Sequence, residues 1–186
     1  MAIRYWLLVH PLDRARELVE TGVARVVWGG EQPVAEFREA DGVVIYSPRV
    51  HNPDGEPLRA AVAAGRVTGE PYQYGGRGRP SWVAPVEWLA GARIAPIRPL
   101  RDMLELTRDS KFWGEQLRDG WVELSQRDFM ILEDAVRPVA PEPSGFAIDA
   151  LRDDGGRAAH PAPPAAPASD TRARAEQAWR DWDANR

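Results

Sequence analysis

Cysteine is absent from the 186 residues, which excludes disulfide staples, thiolate nucleophiles and cysteine-based zinc sites. Histidine is nearly as scarce: His10, His51 and His160 are scattered along the chain, so neither a protein-built metal centre nor a cofactor is expected. No apolar run approaches the roughly 20 residues that a spanning helix needs, and no basic–apolar–small leader opens the chain. A soluble, cytoplasmic protein without a membrane partner is expected. The signatures of common enzyme classes are missing too: no phosphate loop, no dinucleotide fingerprint, no Gly-x-Ser-x-Gly elbow and no His-Glu-x-x-His. Gly75-Gly76-Arg77-Gly78 comes nearest to a phosphate cradle but lacks the strand before it and the helix after it. No catalytic residue is nominated, and an enzyme is not expected.

Lysine occurs once, as Lys111, among 24 basic residues. The others are arginine, whose planar fork suits phosphate and carboxylate where several cluster. The net charge of −4 argues against bulk electrostatic coating of a polyanion. The charge is uneven, however. Between Arg49 and Arg101 eight arginines face four acids, which allows a local basic face on an acidic chain.

The length suits one domain. Its boundary falls near residue 138, where apolar periodicity stops and Pro138, Pro141 and Pro143 follow. This divides the chain into a domain at 1–138 and a Pro/Ala-rich tail at 139–186. Residues 152–170 hold almost nothing large enough to bury and are expected to be disordered. Residues 171–183 place Ala175, Ala178, Trp179 and Trp182 at helical spacing, the pattern either of a frayed end, the reading preferred on the sequence, or of a short helix that docks on the domain or on a protein partner.

Within 1–138 the apolar run at 3–9 (IRYWLLV) is of strand length. Leu12, Ala15, Leu18 and Val19 then fall on one helical face, with Gly22 suited to close the helix. Residues 23–28 ending at Gly29-Gly30, 43–47 after Asp41-Gly42, the small-residue run at 58–67, and 82–89 and 93–97 read as further strands. Ser125 as N-cap, Asp128 three positions on and the Leu124/Phe129 staple predict a last helix that buries Phe129, Leu132 and Val136. Strand, helix, several strands, helix is an α+β order with an antiparallel or barrel-like sheet.

Six of the eight tryptophans lie in this domain. Trp6, Trp88 and Trp121 fall inside strands, where packing explains them. Trp28 ends a strand at a glycine pair, and Trp82 begins one after an Arg/Gly loop; strand ends are where pockets are lined. Two aromatic faces about 7 Å apart can sandwich a planar heterocycle, each stacked ring contributing roughly 1–3 kcal/mol. Hydrogen bonds must then read its edge, and Ser47, the Gly29 N–H and His10 are candidates at strand ends.

Seven segments carry a family resemblance: Arg4-Tyr5-Trp6-Leu7; Trp28-Gly29; Asp41-Gly42 before Ile45-Tyr46-Ser47-Pro48; Gly65-Arg66-Val67 before Glu70-Pro71-Tyr72; Ile97-Arg98-Pro99-Leu100; Phe112-Trp113-Gly114 with Gln116-Leu117-Arg118; and Glu123-Leu124-Ser125 with Asp128-Phe129. In this order, over about residues 3–136, the chain resembles the EVE domain family of the PUA-like superfamily. The resemblance implies a mixed or antiparallel PUA-like β-barrel flanked by helices, and a partner that is DNA or RNA carrying a modified, methylated or hydroxymethylated, base. In the related YTH domains a tryptophan at the end of the second strand helps cage a methylated adenine, and Trp28 matches it. On this match Trp28 is the first wall of the base pocket, with Trp82 or Trp113 as second wall or lid; the strand-end candidates Gly29, Tyr46, Ser47 and His10 complete the expected base-binding set. Arg49, Arg77, Arg79 and Arg118 are the expected phosphate contacts. Two departures stand out: Val9-His10-Pro11 where many bacterial EVE sequences have serine, and Val83-Ala84-Pro85 where an arginine pair is frequent. A non-catalytic protein-interaction adaptor is the alternative reading, and a nucleobase-modifying enzyme the weaker one.

Overall fold

The apolar run near the N-terminus becomes β1 (Tyr5–Val9), a strand buried on both faces, with Trp6, Leu7 and Leu8 each no more than 1% exposed. The structure is a computed structural model that describes residues 2–26, 33–74, 81–109 and 112–138. The tail at 139–186 lies outside them. After Pro11 comes α1 (Leu12–Thr21), whose Leu12, Ala15 and Leu18 are buried. Gly22 closes it at φ 69°, donating its N–H to the Leu18 and Val19 carbonyls, a left-handed cap that costs glycine no Cβ clash.

Eight strands form one curled sheet. They are β1, β2 (Val23–Arg25), β3 (Gly42–Arg49), β4 (Pro57–Val67), β5 (Tyr72–Tyr74), β6 (Ser81–Trp88), β7 (Ala95–Pro96) and, after the short α2 (Glu105–Arg108), β8 (Trp121–Leu124). The spatial order is β2-β6-β4-β3-β1-β8, with β5 on β6 and β7 on β4. β1 and β3 run parallel, and the other described pairs are antiparallel. The chain ends its described part in α3 (Gln126–Val136). This is the mixed α+β half-barrel with flanking helices that the sequence predicts.

Curling has a local cause. The pairing steps from Ile45↔Ala63 to Tyr46↔Ala61, so Val62 is an extra residue on β4 that bends it. The bulge lets β4 pair with β3 along its length, with β7 near its start and with β6 near its end. Gly65 permits the last of these: a Cβ there would stand 2.5 Å from the Glu87 carbonyl oxygen.

Two cores result. On the α1 face, Trp6, Leu8, Val26, Phe37, Val43 and Val86 pack together, continued by Ala15, Leu18, Ile45 and Ala63 under α1. On the α3 face, Leu7, Val44, Tyr46, Ala61 and Ala64 lie beneath Phe129, Leu132 and Val136. α3 begins as predicted, with the Ser125 hydroxyl accepting the Asp128 N–H at 3.2 Å. The buried Asp128 carboxylate also accepts the Glu105 and Leu106 N–H groups at 2.8 and 2.9 Å, fastening α2 to α3.

Short elements depart from the sequence reading. β5, α2 and the 3₁₀ turns carry too few residues for a period to show, and of β8 the sequence reading places only Trp121 in a strand. The strand expected at 93–97 shrinks to Ala95–Pro96, where proline has no N–H with which to extend a ladder. Among the described residues no helix is long and apolar enough to cross a membrane.

Candidate functional site

Tyr46 and Ser47 are successive residues of β3, and successive strand side chains point to opposite faces. Tyr46 packs in the α3-face core, whereas Val43 and Ile45, which share the face of Ser47, belong to the α1-face clusters. The single pocket expected from the sequence is therefore divided by the end of one strand.

On the α3 side, a 3₁₀ turn at Trp113–Leu117 sets the Trp113 ring edge-on to Tyr46, with centroids 5.6 Å apart at 71°. Together they line a cleft of about 560 Å³, with Val9, Pro48, Arg59, Phe112 and Arg118 among its walls. Phe112 is 72% exposed, presenting a large apolar ring at the surface. Arg59 sits at φ 51°, where a second irregularity separates the Ser47↔Ala60 and Arg49↔Pro57 pairings. Its carbonyl accepts the Ile97 N–H at 3.0 Å. A non-glycine residue in this region is strained. Burial raises the Tyr46 pKa and the Arg59 charge partly offsets this, so the phenol stays protonated at neutral pH. Arg118 is paired with Glu115 at 3.6 Å, both well exposed, a contact worth little in water.

On the α1 side, His10 Nε2–H donates to the Arg25 carbonyl at 2.6 Å, tying the end of β1 to β2, the outermost strand beyond β6. A carbonyl only accepts, so Nε2 carries the proton and Nδ1 is left as an acceptor. Burial, followed by the charges of Arg14 and Arg25, lowers the His10 pKa to about 4. The ring is neutral at physiological pH. The His10 N–H donates to the Tyr46 carbonyl at 3.1 Å, which places His10 next to Tyr46, the chain neighbour of Ser47. Ser47 is fully buried, and its hydroxyl has no hydrogen-bond partner among the described residues. Arg25 donates Nε–H to the Ser81 hydroxyl at 3.0 Å; burial lowers its pKa and the neighbouring Arg14 adds to the effect. This corner brings together Arg25, Arg14, which also pairs with Glu17, and a buried hydroxyl with no partner among the described residues.

The remaining sequence candidates are dispersed. Trp82 is half-buried against the Trp6–Val86 cluster of the α1 face. Arg49 donates Nη1–H to the Gly55 carbonyl at 3.0 Å and so braces the turn after β3. Trp28, Gly29, Arg77 and Arg79 lie outside the described residues. The segments that carry them leave from neighbouring positions of one sheet: β2 ends at Arg25, paired with Val83, and Tyr74 is paired with Ser81. Sequence reasoning missed Arg59, Phe112, Arg25 and Ser81. Phe112 belongs to the Phe112-Trp113-Gly114 motif, while nothing local marks Arg59.

Together these features define a small α+β domain with an aromatic, arginine-flanked cleft on one side of β3 and a corner bearing histidine, arginine and a buried hydroxyl on the other. No family model matches the chain. A UPF0310 protein of Renibacterium salmoninarum is 34% identical over 133 residues, covering 71% of this chain and 94% of that protein; the chain belongs to the UPF0310 family. Among solved structures, human THYN1 in complex with 5-methylcytosine-containing DNA is similar with a TM-score of 0.44 at 11% identity, over 74% of this chain and 99% of that one. The Mmi1 YTH domain is similar with a TM-score of 0.46 at 10% identity, over 72% and 74%.

Proposed function

We propose that this protein is a nucleic-acid-binding domain of the EVE kind, which lodges a modified base at the end of β3 without acting on it chemically. The observation that carries the proposal is the cleft where Tyr46, Trp113 and Phe112 meet Arg59 and Arg118. Aromatic faces and guanidinium groups within one hollow match the two chemistries of a nucleotide, a stacking ring and a phosphate. The volume falls in the range of small-ligand pockets, roughly 300–1,000 Å³. Tyr46 and Trp113 already pack edge-to-face, so a base stacks on the outer face of Trp113 or Phe112 rather than between that pair.

The corner across β3 takes the modified base itself. There the Ser47 hydroxyl and His10 Nδ1 read its edge, Arg14 and Arg25 supply positive potential, and Trp28, three residues beyond Arg25, stacks on it, with Trp82 as the second wall. The strand continues over the end of β3 into the arginine-flanked cleft, and Arg77 and Arg79 supply further phosphate contacts, while Arg49 stays on the Gly55 carbonyl.

Titration of short single-stranded oligonucleotides, followed by indole fluorescence, tests this. Wild type is expected to show quenching that Arg118→Glu weakens about tenfold, in line with one lost charge-assisted contact. Equal affinity in wild type, Arg118→Glu and Trp113→Ala would remove the cleft from the binding path.

A further inference from the structure

A second hollow of about 530 Å³ lies between α1 and the β6–β7 connection, lined by Leu12, Val19, Val62, Trp88, Leu89 and Ile94. It plays no part in the proposed base site. Its rim keeps apolar side chains in water: Val19 is 36% and Ile94 44% exposed. Trp88 is fixed in its wall, donating Nε1–H to the Leu18 carbonyl at 3.2 Å.

The chain leaves the described domain beside this groove. Arg93 N–H donates to the Val136 carbonyl at 2.9 Å, and Arg93 Nε–H to the Ala135 carbonyl at 2.9 Å. A Cβ on Gly91, itself a lining residue, would stand 3.8 Å from Pro138 Cβ. Beyond Pro138, residues 139–170 are dominated by alanine, proline and glycine. Residues 171–183 then place Ala175, Ala178, Trp179 and Trp182 at i, i+3, i+4 and i+7, the stripe of an amphipathic helix. We propose that the groove between α1 and β6 is the docking site of the protein's own segment 171–183, with Trp179 and Trp182 seated against Val19, Trp88 and Ile94.

Reach does not limit this. A connection of 32 residues has a typical end-to-end distance of roughly 30 Å even as a flexible coil. The effective concentration of a segment tethered so close to its site is in the millimolar range, about what a weak apolar contact needs to be well populated. Small residues at 175 and 178 let such a helix lie close to the groove floor, while two indoles supply most of the buried area.

The absence of cysteine makes a cross-linking test clean. In the full chain, Val19→Cys paired with Ala178→Cys is oxidised mildly at low micromolar concentration, beside a control pairing Val19→Cys with Ala166→Cys. The expected result is an intramolecular disulfide that forms about tenfold faster for 19–178 than for 19–166, as pre-docking raises the local thiol concentration. Ile94→Glu in the same background is expected to abolish the difference. Amide hydrogen exchange of 171–183 in the cysteine-free chain reports the same docking without a cross-link, protected in wild type and unprotected in Ile94→Glu. Equal closure rates, absent protection, or a disulfide found only between two molecules would overturn the proposal, the last by assigning the groove to a second copy.

Discussion

His10 is neutral, buried and bonded between β1 and β2, and its folded-state pKa of about 4 lies below the ordinary 6.5. The unfolded chain takes up this proton from about pH 6.5 downward, whereas the folded protein resists until about pH 4. Stability is therefore fully present above pH 6.5, falls between pH 6.5 and 4, and levels off below. The loss is on the order of 3 kcal/mol. Urea midpoints measured across this range are expected to fall in wild type and to flatten in His10→Gln, which keeps an N–H for the Arg25 carbonyl. Ser47 makes a different prediction. Its hydroxyl is buried with no partner among the described residues, so Ser47→Ala is expected to hold or raise the melting temperature while weakening oligonucleotide binding roughly tenfold, the worth of one hydrogen bond to a ligand. A fall in stability with unchanged binding would make Ser47 a packing residue. Arg59→Gly follows the same logic: it relieves the backbone at φ 51°, so binding is expected to fall without a loss of melting temperature. At this scale the sequence was only half legible. Period-two alternation along β3 already separates Tyr46 from Ser47, yet motif order had grouped them in one pocket. The bond from His10 to Arg25 joins positions 15 residues apart through the curl of the sheet, which no local pattern encodes.

Elements were legible where their ends carry chemistry. Gly22 after Val19 and the Ser125/Asp128 pair announced the ends of α1 and α3, and the structure has both. What the sequence left hidden is the second use of Asp128, whose carboxylate holds α2 through two backbone N–H groups. Asp128→Ala strands both donors in a half-buried setting, and a loss of about 1–3 kcal/mol is expected in urea unfolding. A loss below about 0.5 kcal/mol, the ordinary scatter of surface changes, would mean that α2 is held by other contacts. The basic segment also changes character at this scale. Arg66 stacks its guanidinium 4.3 Å from the Phe129 ring centroid and pairs with Glu133 at 3.3 Å, clamping α3 to β4. Arg49 and Arg93 bind carbonyls of their own fold. An arginine count therefore overstates the charge offered to a ligand, because a planar fork with five donors is equally useful for bracing turns.

For the molecule as a whole, a net charge of −4 and a cleft flanked by Arg59 and Arg118 imply that few counterions are released on binding. With Arg59, Arg77, Arg79 and Arg118 on phosphates, affinity for single strands is expected to fall roughly fiftyfold between 50 and 200 mM salt, against the far steeper loss of a protein that coats nucleic acid. The α+β class and the order of the long strands could be read from apolar runs and turn residues. The curl that creates the two sides of the site depends on the Val62 bulge and on Gly65, whose meaning appears only once β6 is in place. The most direct test of the central claim is a fluorescence titration of wild type and Trp28→Ala with matched DNA and RNA oligonucleotides carrying cytosine, methylcytosine, hydroxymethylcytosine, adenine or methyladenine. A modified-base site at the end of β3 gives preferential quenching by one modified base, with the preference lost in Trp28→Ala. Equal response to modified and unmodified strands, or a preference that survives in Trp28→Ala, would contradict it.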